Sequence, residues 1–314
     1  MWVRAVIWLR CFLSPSPPIS EFFVRNEAVT LIQGSNSLDV LDRIVPTKIT
    51  DMPDLSRRNV IFCDSNGRIS DMATIYTITG SVLLSSSSSE KETTRRKLVD
   101  GTSWDEDCDV LVADNAIFRI SLFPSDLSEI KELFDIDLEE TSTDVLIEKN
   151  DHLFVKIRST LGNAIDLLVK YENLEKITSL LRDSGYIEMS SERWDNCRIM
   201  LGIREMCDVR GNLPDEMGLG ELVCNDKGCY PGQEVHARLE SRGKKIKSIC
   251  RINGDAPLFL GKQKTPAFGT ILITSATFFD GQAFALALIR LGDSTPEKIQ
   301  IEGNDYTIVI MGFP

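Results

Sequence analysis

The sequence predicts an α+β fold in two parts, a mixed body with a small antiparallel β-barrel behind it. Two observations carry this. Between residues 21 and 160 short β-branched runs alternate with stretches of helical period. From about Lys245 the helical stretches cease and short apolar runs follow one another between turn residues, the rhythm of a small barrel. A length of 314 residues, 42% hydrophobic and 26% charged, suffices for one large or two modest globular domains. The boundary falls near residue 243, giving a body over 21–243 and a barrel over 244–314, with no tandem repeat of fixed period.

The elements follow in order. Met1 to Ser20 hold Arg4 and Arg10, no acids and the apolar run Val3 to Leu13, and Ser14-Pro15-Ser16-Pro17-Pro18 breaks any helix there. The segment has the makings of a secretory signal, an organellar presequence or a mis-assigned start, and is too short and interrupted for a membrane span. It reads as a disordered or removable leader. Ala28 to Gln33 has strand character, and Ser35 to Ile44 reads as a helix with Leu38, Leu41 and Ile44 on one face. Asn59 to Cys63 and Ile69 to Thr79 are strands joined by the hairpin signal Asp64-Ser65-Asn66-Gly67. Ser85 to Ser89 reads as a flexible surface connection or a polar helix start, and Thr93 to Val99 as a helix. Asp105 to Asp109 is a solvated acidic loop, without the glycine and final glutamate of a calcium loop, before the strand Val110 to Ala113. Ser125 is placed to cap a helix over Asp126–Phe134. Ile165 to Val169 is a strand, Glu172 to Arg182 an amphipathic helix closed by Gly185, Tyr186 to Met189 a strand and Ser191 to Gly202 a helix. The barrel strands are Ile246–Ile252, Gly269–Ser275, Ala283–Ile289, Lys298–Ile301 and Tyr306–Met311.

Composition narrows the function classes. A net charge of −12 argues against a nucleic-acid or anionic-membrane binder. Arg238, Arg242, Lys244, Lys245 and Lys247 form a local basic cluster, either a solvated edge or a collar that attracts a polyanion. The eight cysteines form no CxxC pair, and Cys224 and Cys229 are weak evidence for metal, so no metal site is assigned. With His152 and His236 alone, a histidine metal site or a Ser/His/Asp triad is poorly supported. Scattered cysteines fit a reducing compartment.

The most informative stretch is Lys227-Gly228-Cys229-Tyr230-Pro231-Gly232-Gln233-Glu234. Gly228 and Gly232 permit backbone geometry that a Cβ resists, and Pro231 suits the first turn of a helix. Gln233 to about Leu239 has helical character, with Glu234 four residues before Arg238 in the favourable ion-pair order. Cys229 would then lie near unpaired helix N–H groups with Lys227 two residues away, and both lower a thiol pKa. The same N–H groups suit an anion or a carbonyl oxygen. The bland alternative is a small buried hydrophobe in a tight turn.

This octapeptide, continued as Val235-His236-Ala237-Arg238 and Ser241-Arg242-Gly243-Lys244, resembles the signature of the YgfZ family. Those are folate-binding proteins related to the glycine cleavage T-protein (GcvT, an aminomethyltransferase), and they support iron–sulfur cluster enzymes. The resemblance extends over most of residues 22–311. Ile49-Thr50-Asp51, Asp64 to Ile69, Arg198-Ile199 to Gly202-Ile203, Leu213 to Leu219, and Pro266 to Ala276 each match a family segment in order and spacing. It implies a GcvT-like, ring-shaped body around a folate channel, with the barrel after it. It also implies that Asp71 faces the reactive nitrogen of the folate, where a carboxylate can hold positive charge on a one-carbon adduct. Met200 departs from the family, which has a pterin-binding glutamate there, and Glu216 is the candidate to compensate.

The resemblance implies a tetrahydrofolate-binding accessory protein for assembly or repair of iron–sulfur enzymes, taking tetrahydrofolate or a one-carbon derivative. Its partners would be folate and iron–sulfur proteins or their assembly machinery, with no nucleic acid and no membrane. Cys229 would be the thiolate, Lys227 its counter-charge and Tyr230 a stacking group near the ligand. Gln233 and Glu234 would order the loop, and Arg238 would clamp Glu234 or a ligand carboxylate. The chemical step stays open between attack, electron donation and holding iron. Two other readings stand beside this one: a tetrahydrofolate-dependent aminomethyltransferase or methyltransferase of the T-protein type, and a non-catalytic scaffold. The compartment expected is the cytoplasm, or the mitochondrial matrix if the source is eukaryotic.

Overall fold

The computed structural model describes residues 19–159, 162–242, 245–292 and 296–312, the Arg242 side chain excepted. The leader up to Pro18, Gly243, Lys244 and the Arg242 side chain of the basic cluster therefore lie outside the described residues, as does the expected boundary at 243.

Three sheets organise the chain. The first runs β11 (Ile187–Glu188), β1 (Glu21–Val24), β7 (Ile117–Phe123), β10 (Ala164–Lys170), β9 (His152–Ile157), β8 (Leu146–Lys149). Only the short β1–β11 pair is parallel. The second runs β3 (Arg57–Cys63), β4 (Ile69–Ile78), β5 (Ser81–Ser87), β2 (Glu27–Gln33), β6 (Asp109–Val112), antiparallel throughout.

Period-two alternation decides which way each strand's side chains face. On β10, Ile165, Leu167 and Val169 join Ile120 and Leu122 of β7 under the helices α3 (Ser128–Phe134) and α4 (Tyr171–Asp183). Leu168 faces the other way and packs with Val29, Tyr76 and Leu83 of the second sheet. That sheet turns Ala73, Ile75, Val82 and Leu84 outward onto α1 (Ser37–Ile44) and α2 (Lys91–Asp100). The body is thus four layers, helices outside and two sheets face to face within.

Helix α5 (Ser191–Leu201) starts with Ser190, whose hydroxyl accepts from the Arg193 amide, and ends at Gly202 in left-handed conformation. After the short α6 (Met206–Val209), two 3₁₀ turns (Asp215–Met217 and Gly220–Leu222) lead to α7 (Gln233–Arg242).

The third sheet is antiparallel, ordered β13 (Gly261–Thr265), β14 (Gly269–Phe279), β15 (Gln282–Arg290), β12 (Lys247–Gly254), β17 (Asn304–Ile310), β16 (Lys298–Ile301). It curls until β13 and β16 approach each other, but those edges do not pair, so it is an open half-barrel rather than a closed one. Its Ile249 and Leu286 share one apolar cluster with Ile61, Cys63 and Ile69 of the β3–β4 hairpin.

Two sequence expectations need correction. The serine run is no surface connection. Ser85 and Ser86 are 2% and 3% exposed on β5, between β4 and β2. Serine carries no strand signature, and the signal lies in its partners: the Ser85 hydroxyl donates to Glu27. Ser125 is not the cap of α3 either. The helix starts at Ser128, whose amide is held by Asp126 Oδ1 at 2.8 Å, while Ser125 donates to Glu129.

Candidate functional site

The Lys227–Glu234 loop is built onto two other parts of the body. Its first anchor is Lys227, whose side chain is 2% exposed. Nζ lies 2.9 Å from Asp42 Oδ1 and donates to the carbonyls of Val45 at 3.0 Å and Thr47 at 2.8 Å, just past the end of α1. A cation at a helix C-terminus meets both unpaired carbonyls and the negative end of the dipole. Three protons have three acceptors, so the amine serves the loop's anchorage and leaves none for Cys229. Burial lowers the Lys227 pKa, with Asp42 working against it. Cys224 N donates to Pro46 O and Thr47 Oγ1 to Leu222 O, which stitches the same two segments together.

The second anchor is the β3–β4 turn. Asp64 Oδ1 accepts from the amides of Asn66 and Arg68, each at 2.9 Å. Gly67 follows at φ +71°, and Gly232 meets it at φ +85°. A Cβ on Gly232 would lie 2.4 Å from Gly67 Cα. His236, buried on α7, donates from Nε2 to Gly67 O at 2.8 Å, because a carbonyl can only accept; its Nδ1 is buried and has no partner among the described residues. Pro231 lies in the turn ahead of α7, which begins at Gln233.

Between these anchors Tyr230 is 6% exposed, its ring 5.8 Å from that of His236 and 5.9 Å from Lys227 Nζ. Its hydroxyl, pushed up to about 12 by burial, donates to Asn225 Oδ1 at 3.4 Å. Tyr230 therefore spends its ring and hydroxyl inside the loop. Gln233 Nε2 donates to Lys227 O at 3.4 Å, and Glu234 pairs with Arg238 on the exposed face of α7. Cys229 is exposed, one residue before the buried Tyr230 and four before α7. Lys227, Tyr230, Gly232 and Gln233 hold the loop, and Cys229 is exposed.

Asp71 sits apart from the loop. It is 1% exposed, accepting from Thr94 Oγ1 at 2.5 Å, Met72 N at 2.8 Å and Ser87 N at 3.4 Å. Burial pushes its carboxyl up to about 6, against those hydrogen bonds and nearby Lys97. Lys97 donates to Ser70 Oγ at 2.5 Å and Cys63 O at 3.0 Å, and burial lowers its pKa. Among the described residues no hydrogen bond or ion pair joins Asp71 to residues 227–234.

Glu216 is buried, with Oε2 at 3.3 Å from Lys247 Nζ and from Leu213 N. Met200 is 8% exposed on α5. The neighbouring Arg198 ties α5 to the third sheet: Nη1 donates to Asp208 at 3.0 Å and Nη2 to Ser275 at 3.2 Å. In the basic cluster, Arg238 pairs with Glu234, Lys245 with Asp215 and Lys247 with Glu216, so the described cations of the expected collar have acid partners.

Sequence reasoning missed a polar cluster between the two sheets of the body. Asp166 is fully buried; it accepts from Tyr76 at 3.1 Å and Ser121 at 3.0 Å, with Arg57 Nε at 3.4 Å and Arg119 Nε at 3.5 Å. Burial would raise its carboxyl, but Arg119, Arg57 and Arg25 outweigh that and hold it below its ordinary value. The signal was present as single charged residues inside apolar strands, Arg119 in β7 and Asp166 in β10.

No protein family and no curated protein matches the sequence. Among solved structures, the fold is similar to that of glycine cleavage system aminomethyltransferase T from Bartonella henselae, with a TM-score of 0.80 and 13% identity over 94% of this chain and 86% of that one. Heterotetrameric sarcosine oxidase from Corynebacterium sp. U-96 aligns at a TM-score of 0.38 and 12% identity, over 52% of this chain and 83% of that one, too loosely to carry an argument. At such identity the first likeness shows a shared fold.

Proposed function

We propose that this chain is a tetrahydrofolate-binding accessory protein of the YgfZ type, acting in assembly or repair of iron–sulfur enzymes through Cys229. One observation carries the reading. A loop braced at Lys227, Tyr230, Gly232 and His236 leaves one sulfur exposed ahead of α7. Bracing of this kind fixes a reactive group in place at the cost of ordering the chain once, during folding. The likeness to an aminomethyltransferase fold supports folate as the ligand class. Asp71, its carboxyl pushed up to about 6 by burial, is the residue proposed to face it.

The alternative, an aminomethyltransferase of the T-protein type, draws on the same likeness and on the same carboxyl. Two measurements separate them. Complementation of a cluster-enzyme-deficient strain by the parent but not by Cys229→Ser supports the accessory role; equal rescue by both sinks it. Formation of methylene-tetrahydrofolate from a secondary or tertiary amine by the purified chain favours the transferase.

A further inference from the structure

Three arginines converge between the two sheets of the body, and they are not alike. Arg57 reaches Asp144 and Asp166, and Arg119 reaches Glu27 and Asp166. Arg25, directly after β1, has no carboxylate within 4.0 Å among the described residues. Its Nε donates to Ser121 Oγ at 2.9 Å, and that hydroxyl in turn donates a hydrogen bond to Asp166. Nη1 and Nη2 hydrogen-bond to no described residue, and neither is sealed from solvent. The guanidinium lies 3.9 Å from the ring centroid of Trp194 and 5.5 Å from that of Phe23.

The platform beneath it is fixed. Trp194 stacks on Phe23 at 5.3 Å and 11°, lies 6.2 Å from Phe123, and donates from Nε1 to Glu205 at 2.9 Å. A guanidinium presents either its Nε edge or its two terminal nitrogens to a planar anion. Here Ser121 occupies the first edge, so the second remains. Its position is set by an aromatic face, a serine and the β1–β7 backbone pairing, where Arg25 N donates to Arg119 O at 2.9 Å.

We infer that Arg25, laid on Trp194 with its Nη1 and Nη2 unspent, is the receptor for the carboxylate of a small organic acid. A two-oxygen anion matches that edge in spacing and plane, and the ordering of the donor pair is already complete before the ligand arrives. Burial, with the repulsion of Arg119, pushes Arg25 down to about 10 against the pull of Glu27, Asp166 and Glu205, and an anion at Nη1 and Nη2 adds to that pull. The site stands whether or not the chain takes folate.

Phenylglyoxal labelling read by peptide mass spectrometry tests it on the full chain, with glutarate as probe, chloride at equal ionic strength as control, and exposed Arg290 as internal reference. Glutarate is expected to slow labelling of Arg25 saturably, by about five-fold or more, and to leave Arg290 unchanged. Equal labelling with and without glutarate overturns the site. So does an Arg25 that never labels in chloride, since a guanidinium closed to a dicarbonyl is closed to a carboxylate. Protection by inorganic phosphate but not by glutarate overturns the ligand class. As a second measurement, glutarate should raise the Tm of the parent and not of Arg25→Lys, which keeps the charge and lacks the fork.

Discussion

Gly232 and Gly67 touch backbone to backbone, each in the left-handed region, and neither has room for a side chain. The motif loop and the β3–β4 turn can close on each other only with glycine on both sides. Gly232→Ala adds left-handed strain to a Cβ clash against backbone that cannot swing away. A loss of about 2–4 kcal/mol in urea unfolding is expected. Gly228→Ala is the control, with open space around its Cβ and an expected loss below about 1 kcal/mol. Equal losses would mean that the contact does not hold the loop.

Lys227 and Asp42 form a pair whose lysine is nearly sealed. Lys227→Met strands Asp42 and the Val45 and Thr47 carbonyls, and should cost about 3 kcal/mol. Asp42→Asn leaves the amine two carbonyls and should cost less. The double variant should fall short of the sum by about 1 kcal/mol or more, measured as a double-mutant cycle. Strict additivity would refute the coupling.

Asp71 makes stability depend on pH. Its folded value of about 6 lies above the ordinary 3.8, so the native state holds the proton more tightly than the unfolded chain. The associated stability is whole below about pH 4 and drains away as pH rises through about 6, up to about 3 kcal/mol in all. Asp71→Asn should therefore be more stable than the parent at pH 8 and little different at pH 4. Denaturant curves at the two pH values decide it; a parent favoured at pH 8 would reverse the sign.

The cysteines should separate sharply in reactivity. Burial pushes Cys63 and Cys250 each up to about 12, whereas Cys229 is exposed. At pH 8 iodoacetamide should label Cys229 about 100-fold faster than Cys63 or more. Comparable rates would show that the loop shields its sulfur.

The sequence was most readable where local chemistry decides. The hairpin at Asp64–Gly67 and the helix closed by Gly202 stand where turn and cap residues put them. It was least readable where a residue's role depends on distant partners. Lys227 lies two positions from Cys229 in the chain, yet its amine is drawn to the end of α1, because three acceptors there outweigh proximity. The serines of β5 are strand residues only because β4 and β2 flank them. Asp166 is tolerable inside a buried strand only because arginines from β3 and β7 reach it, and no window of sequence contains all of them.

The apolar cluster shared by Ile61, Cys63, Ile69, Ile249 and Leu286 has a temporal meaning. A ribosome releases the β3–β4 hairpin long before β12 and β15, so the turn that receives Gly232 waits, half-covered, for the last quarter of the chain. Maturation of the cysteine loop is then a late event of biosynthesis, and a nascent chain stalled after α7 would display the motif without the wall behind its cradle.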